Sequence, residues 1–230
     1  MSLQGFGAQL AAGAWVTLQL SLVAMAVGLL LGLIGAVAKE APLAPLRWIG
    51  MTYTTVVRGL PELLVILLVY FGASRMLGAM AALAGYEGYI ELSAFAAGSA
   101  ALAFNYGAYL TEVFRGALHT IPQGHIEAGQ ALGLGRFRIF RRIVLPQMWR
   151  VGLPAIGNIY LALLKDTALV SVIGVEDLMR KTSVAVGYSK QPFTFYMAAA
   201  FIYLGLSALA TAVVYLLERK AGHGMKTLAS

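Results

Sequence analysis

Residues Glu127–Pro146 read EAGQALGLGRFRIFRRIVLP. Arg136, Arg138, Arg141 and Arg142 all fall inside this stretch, in a chain whose charged residues amount to 12%. Pro122 suits the first turn of a short helix over residues 123–132, which Gly133 and Gly135 then end. Phe137, Phe140 and Val144 recur at helical spacing beyond the glycines, with arginines between them. Pro146 is expected to interrupt that second helix. The pattern predicts helix, glycine turn and amphipathic helix, with long apolar segments on both sides. Arginines in such a loop serve retention on the cytoplasmic side and contact with anionic lipid. Neither role calls for the Glu-Ala-Gly at one end or the Ile-Val-Leu-Pro at the other.

The surrounding composition names the solvent. Of 230 residues 60% are hydrophobic, and the mean hydropathy is +0.78. A soluble domain carries roughly 25% charged residues, so this shortfall points to lipid. Cysteine is absent, which excludes disulfides and thiolate metal sites. His119, His125 and His223 do not stand at zinc-ligand spacing. There is no GxxxxGK[ST] phosphate loop and no strand-borne GxGxxG, so any ATP used is hydrolysed by another chain. The net charge of +7 fits basic cytoplasmic loops better than nucleic-acid binding.

About 20 apolar residues cross the hydrocarbon core of roughly 30 Å. Five segments are expected to do so, near residues 10–38, 52–72, 92–111, 151–175 and 193–217. No charged side chain precedes Lys39, so the first is unlike a signal peptide. Lys39, Arg47, the arginines from Arg115 to Arg150, Arg219, Lys220 and Lys226 fall on one side. The other side holds Arg75, Arg180, Lys181 and Lys190. The richer side is read as cytoplasmic, which puts the N-terminus outside and the C-terminus inside. Trp15, Trp48 and Trp149 lie near expected span ends, as an interfacial belt does. Gly28, Gly32 and Gly35 suit a tight helix crossing, although glycine is common in membrane helices generally.

At the charged loop the sequence resembles permease subunits of bacterial ATP-binding-cassette importers. Their cytoplasmic loop has the pattern EAA, three residues, G, nine residues, I-x-L-P. Glu127 and Ala128 match, Gly129 stands for the third alanine, and Gly133, Ile143, Leu145 and Pro146 complete it. Gly129 weakens a helix by about 1 kcal/mol relative to alanine. Arg58-Gly59-Leu60-Pro61 is similar to the RGxP segment of the polar amino-acid uptake subfamily. Gly107-Ala108-Tyr109 with Glu112, Arg115 and Gly116 is similar to its GAYxxExxRG segment. Lys165-Asp166-Thr167-Ala168-Leu169 is similar to its K-x-T-[SA]-L segment. Within that subfamily the likeness runs to permeases for histidine, arginine, lysine, ornithine and opines.

The resemblance implies an all-α integral membrane protein, one transmembrane domain over residues 1–230. It implies five transmembrane helices, with a coupling-helix loop at about 120–146 between the third and fourth. Glu127, Ala128, Gly133, Ile143, Leu145 and Pro146 are the expected ATPase-coupling residues. The expected partners are a cytoplasmic ATPase dimer, a second permease subunit or copy, a periplasmic amino-acid-binding protein and membrane lipid. This chain would carry no cofactor, ATP and Mg binding to the ATPase. The expected setting is the bacterial inner membrane and the mechanism alternating access.

Glu62 and Asp166 are the acids expected deepest in the membrane. At about 1.5 Å per residue, Glu62 would lie about 15 Å into a second span starting at Thr52. A charge there costs at least roughly 2.5–3.5 kcal/mol, so both are candidate substrate-pathway residues for a cationic group. Pro61 would free the carbonyl of Val57 beside Glu62. The plain alternative is that Arg58, one turn earlier, pairs with Glu62. Another polar amino acid such as glutamine or glutamate remains open as the cargo. An ion or solute channel would leave the EAA-like loop without a purpose, and an intramembrane enzyme would lack a histidine inside a span.

Overall fold

The computed structural model describes residues 5–83 and 93–222. The elements are α1 (Gly7–Lys39), α2 (Ala44–Gly59), α3 (Glu62–Leu83), α4 (Ala94–His119) and α5 (Gln123–Ala131). A rod follows: α6 (Arg136–Ile139), a π-helical turn (Phe140–Val144), α7 (Leu145–Asp166) and a 3-10 helix (Thr167–Ile173). Two more helices, α8 (Leu178–Ser189) and α9 (Pro192–Gly222), complete the described residues, which contain no strand.

Among the described residues four segments are long and apolar enough to cross a membrane: Gly7–Lys39, Glu62–Met80, Arg136–Ile173 and Pro192–Ala221. Helix α4 is long enough, but its glycines, tyrosines and Asn105 dilute its hydropathy. It is also the helix most enclosed by the others, with Ala101, Leu102, Ala103, Ala108 and Leu110 fully buried. A helix covered by protein has no need to be uniformly apolar. Its close partner is α1. A Cβ on Gly32 would stand 2.6 Å from Leu110 Cβ, and one on Gly35 would stand 2.3 Å from Thr111 Oγ1. The glycines along α1 thus let the two backbones approach, as small residues do where lipid supplies no hydrophobic drive. Leu30, Ile34, Phe201, Leu204 and Leu209 point outward, as lipid-facing side chains would.

Three sequence expectations need correction. The segment at residues 52–72 is not one helix: α2 ends at Gly59 and α3 starts at Glu62. Proline lacks an N–H and disfavours the helical region for its predecessor, and Leu60 is extended at φ −104, ψ 150. Pro146 does not end the arginine-rich helix. The wide π turn just before it accommodates the missing donor, and the rod continues through Leu145 and Pro146 into the apolar segment. That segment therefore starts at Arg136, not near Val151. Residue 92, where the third span is expected to begin, lies outside the described residues, as do His223 and Lys226. Helix α8 was not anticipated. Asp177 caps it by accepting from the Arg180 N–H at 2.9 Å.

Candidate functional site

Glu62 opens α3, directly after the Pro61 break. A carboxylate is favoured there by the unpaired N–H groups and dipole of the first turn. It lies at the start of a candidate span, so the estimate of about 15 Å of depth, which assumed one unbroken helix, does not hold. Glu62 is half-buried and accepts from the Tyr109 hydroxyl at 3.3 Å. Arg58 does not pair with it. Instead the guanidinium sits over the Tyr109 ring, 5.3 Å from its centroid, as a cation–π contact.

Asp166 is the last residue of α7, where the α-helix tightens into the 3-10 segment. It is half-buried and accepts from the Tyr106 hydroxyl at 2.5 Å. The C-terminal end of a helix repels a carboxylate, so Asp166 gains from a cationic neighbour. Tyr106 and Tyr109 are three residues apart on α4, with ring centroids 5.8 Å apart. Two acids from separate helix breaks are thus joined through one pair of tyrosines. The sequence singles out the acids, and Tyr109 only within the GAYxxExxRG-like segment; it does not pair the acids with the two tyrosines. Their spacing of three residues, which puts both on neighbouring faces of one turn, was the available signal.

The other expected residues gather at the far end of α4. Glu127 and Ala128 are exposed on α5. Gly129 is buried, and a Cβ there would stand 2.9 Å from Ile143 Cδ1 and 3.1 Å from Ile139 Cγ1. Gly133 has φ +71. Its N–H donates to the Gln130 carbonyl at 2.9 Å, and the Leu134 N–H donates to Gly129 at 3.0 Å. These are the paired bonds of a Schellman C-cap, which needs a left-handed residue at this point. Ile143 belongs to the π turn, while Leu145 and Pro146 begin α7. His125 Nδ1 meets Gln147 Oε1 at 2.9 Å, a second tie between α5 and the rod.

Charged groups close the same end. The Lys39 ammonium bonds Glu112 and donates to the Thr54 hydroxyl at 2.9 Å, joining α1, α4 and α2. Glu40 accepts from Arg115 Nε at 2.9 Å and lies 2.9 Å from His119 Nε2. Partial burial opposes its ionisation, but Arg115 and His119 outweigh that and hold its carboxyl below the usual range. At the opposite end α8 packs on α1 and α9. The Leu178 N–H donates to Thr17 Oγ1 at 3.1 Å, and the Phe6 and Phe195 rings meet edge-on at 5.6 Å.

The sequence profile of the family described as "binding-protein-dependent transport system inner membrane component" matches residues 16–223. This chain belongs to that family. Among curated relatives of the permease is the nopaline transport system permease protein NocQ of Agrobacterium fabrum. The two are 42% identical over 97% of this chain and 95% of that protein. The arginine ABC transporter permease protein ArtQ of Escherichia coli is 42% identical, over 91% of this chain and 92% of its own. The histidine/lysine/arginine/ornithine transport system permease protein HisQ of the same organism is 40% identical, over 97% and 98%. Among solved structures, a chain of an amino acid ABC transporter crystallised with histidines superposes at TM-score 0.76. It is 32% identical, over 92% of the permease and 94% of that chain. A chain of the inward-facing MetNI methionine ABC transporter also reaches TM-score 0.76, at 20% identity, which speaks for a shared fold. The protein is an inner-membrane permease of the ABC importer type.

Proposed function

We propose that this permease moves a basic amino acid or an opine into the cytoplasm, by alternating access driven by a separate ATPase dimer. The observation that carries the choice of cargo is the pair Glu62 and Asp166. Each stands at a helix break, and each is hydrogen-bonded to a tyrosine of α4. A guanidinium, ammonium or imidazolium group suits such a pair, and substrate sites in transporters tend to lie where helices are interrupted. The basic or opine cargoes in the names of NocQ, ArtQ and HisQ support the same class.

In this reading α4 is a fifth span, shielded from lipid by α1, α3 and α7. The N-terminus lies outside and the α5 loop inside, where Glu127, Ala128 and the turn at Gly133 meet the ATPase. ATP and Mg bind that partner. A periplasmic binding protein delivers cargo to the outer face, and a second permease chain or copy completes the pathway. The seating of α5 on Ile139 and Ile143 supports transmission: a push on the short helix passes into the rod that ends at Asp166.

The test is uptake of labelled arginine, histidine and glutamine by vesicles holding the full set of subunits. ATP-dependent accumulation of a basic amino acid above glutamine is expected. Preference for glutamine would transfer the reading to a neutral-substrate permease.

A further inference from the structure

Asn105 is completely buried on α4, and neither its Nδ2 nor its Oδ1 has a hydrogen-bond partner among the described residues. Buried amides are nearly always paired, and leaving both groups unpaired is costly. The position is specific. Asn105 directly precedes Tyr106, which bonds Asp166, and lies one turn before Tyr109, which bonds Glu62. Gly98 lies seven residues earlier, about 20° away around the helix. A Cβ on Gly98 would face Val175 at 3.2 Å, Val170 at 3.5 Å and Ile173 at 3.6 Å. The stripe of α4 that bears Asn105 therefore faces the 3-10 segment that follows Asp166.

The groups already described recognise only half of an amino acid. Glu62 and Asp166 accept, and both tyrosine hydroxyls are committed to them. A cationic side chain is provided for; near the α-carboxylate the described groups offer only the Arg58 guanidinium, which is engaged with the Tyr109 ring. Asn105 offers two N–H donors and one acceptor in a fixed plane, and neither group has a partner among the described residues. We propose that Asn105 binds the main chain of the transported amino acid, Nδ2 donating to the α-carboxylate and Oδ1 accepting from the α-ammonium. This rests on the basic-substrate reading and adds the second half of the site. Its burial assigns a role to the 3-10 segment as well. Short 3-10 stretches within longer helices often mark hinges, and Thr167–Ile173 must shift off α4 to admit cargo.

The experiment measures binding to the whole importer complex in lipid nanodiscs, without binding protein, by displacement of labelled arginine. The competing probes are arginine and agmatine, which keeps the guanidinium and lacks the carboxylate. Asn105→Leu should weaken arginine tenfold or more and agmatine, which keeps the amine and loses only the bond from Nδ2 to the carboxylate, clearly less, since bonds to charged groups are the stronger kind. Asn105→Asp keeps the shape and repels a carboxylate, so it should show the same split even if the leucine variant folds poorly. Glu62→Gln should weaken both probes. Equal weakening of arginine and agmatine in both Asn105 variants, or no change in either, would overturn the proposal while leaving Glu62 in place. If Glu62→Gln moved neither probe, or the unmodified complex bound neither, the basic-substrate reading itself would fail.

Discussion

Gly129 and Ile143 stand so close that a Cβ on the glycine would lie 2.9 Å from the Ile143 Cδ1. The third position of the EAA-like pattern is thus the seat of α5 on the rod. Only a small residue allows Ile139 and Ile143 to lie against the short helix.

Gly129→Ala should be tolerated. The obstructing atom is the end of a flexible side chain, and alanine returns about 1 kcal/mol of helix propensity. Gly129→Leu should lift α5 off the rod, because Ile139 and Ile143 both stand where the four extra carbons would go. The check is the ATPase retained by the permease through gel filtration: near normal for alanine and at least halved for leucine.

Gly133 closes α5 at φ +71, where an L side chain costs roughly 1–2 kcal/mol. Gly133→Ala should weaken coupling moderately. Gly133→Asp adds a charge on the surface assigned to the ATPase, and should cut transport per ATP hydrolysed severalfold while the subunit still inserts. A Gly133→Asp variant with full ATPase association and full transport would remove this turn from the coupling path.

Burial pushes the Asp177 carboxyl up to about 6, against the opposing effect of backbone N–H groups at the start of α8. Glu176 beside it adds to the rise, and Tyr203 is the titratable group facing it from α9. The packed state holds its proton more tightly than the unfolded chain, whose pKa is about 3.9. The packing of α8 is therefore strongest below about 4 and loses this contribution as pH rises through about 6. Asn is an equally good cap and does not titrate. Asp177→Asn should gain thermal stability relative to the unmodified protein as pH rises from 4 to 7. A constant difference between the two across that range would contradict the account.

Orientation is tested by single cysteines in this cysteine-free chain. Arg138→Cys should resist an impermeant thiol reagent in intact cells and react in inverted vesicles. Ser183→Cys, on an exposed position of α8, should do the reverse.

Much of this architecture was legible in the residues, for identifiable reasons. The glycines along α1 predicted the crossing that Leu110 and Thr111 complete. Gly133 announced its turn because only a left-handed backbone required it. The prolines were half legible. Pro61 broke its helix because Leu60 could relax to an extended conformation. Pro146 did not: the backbone widens into a π turn just before it and the helix runs on through it. Helix α8 escaped notice since it is too short to cross a membrane and its anchor, Asp177, is a capping interaction with no periodicity. The tyrosines and Asn105 escaped for a different cause. Their meaning lies in partners 47 and 60 residues away, or in having none.

The central claim is that Glu62 serves cationic cargo. It is tested most directly by ATP-driven uptake in vesicles carrying Glu62→Gln, with a cationic and a neutral amino acid assayed side by side. The account predicts that arginine uptake falls at least tenfold while neutral uptake and complex assembly hold. Equal loss of both substrates, or no loss of arginine uptake, would contradict it.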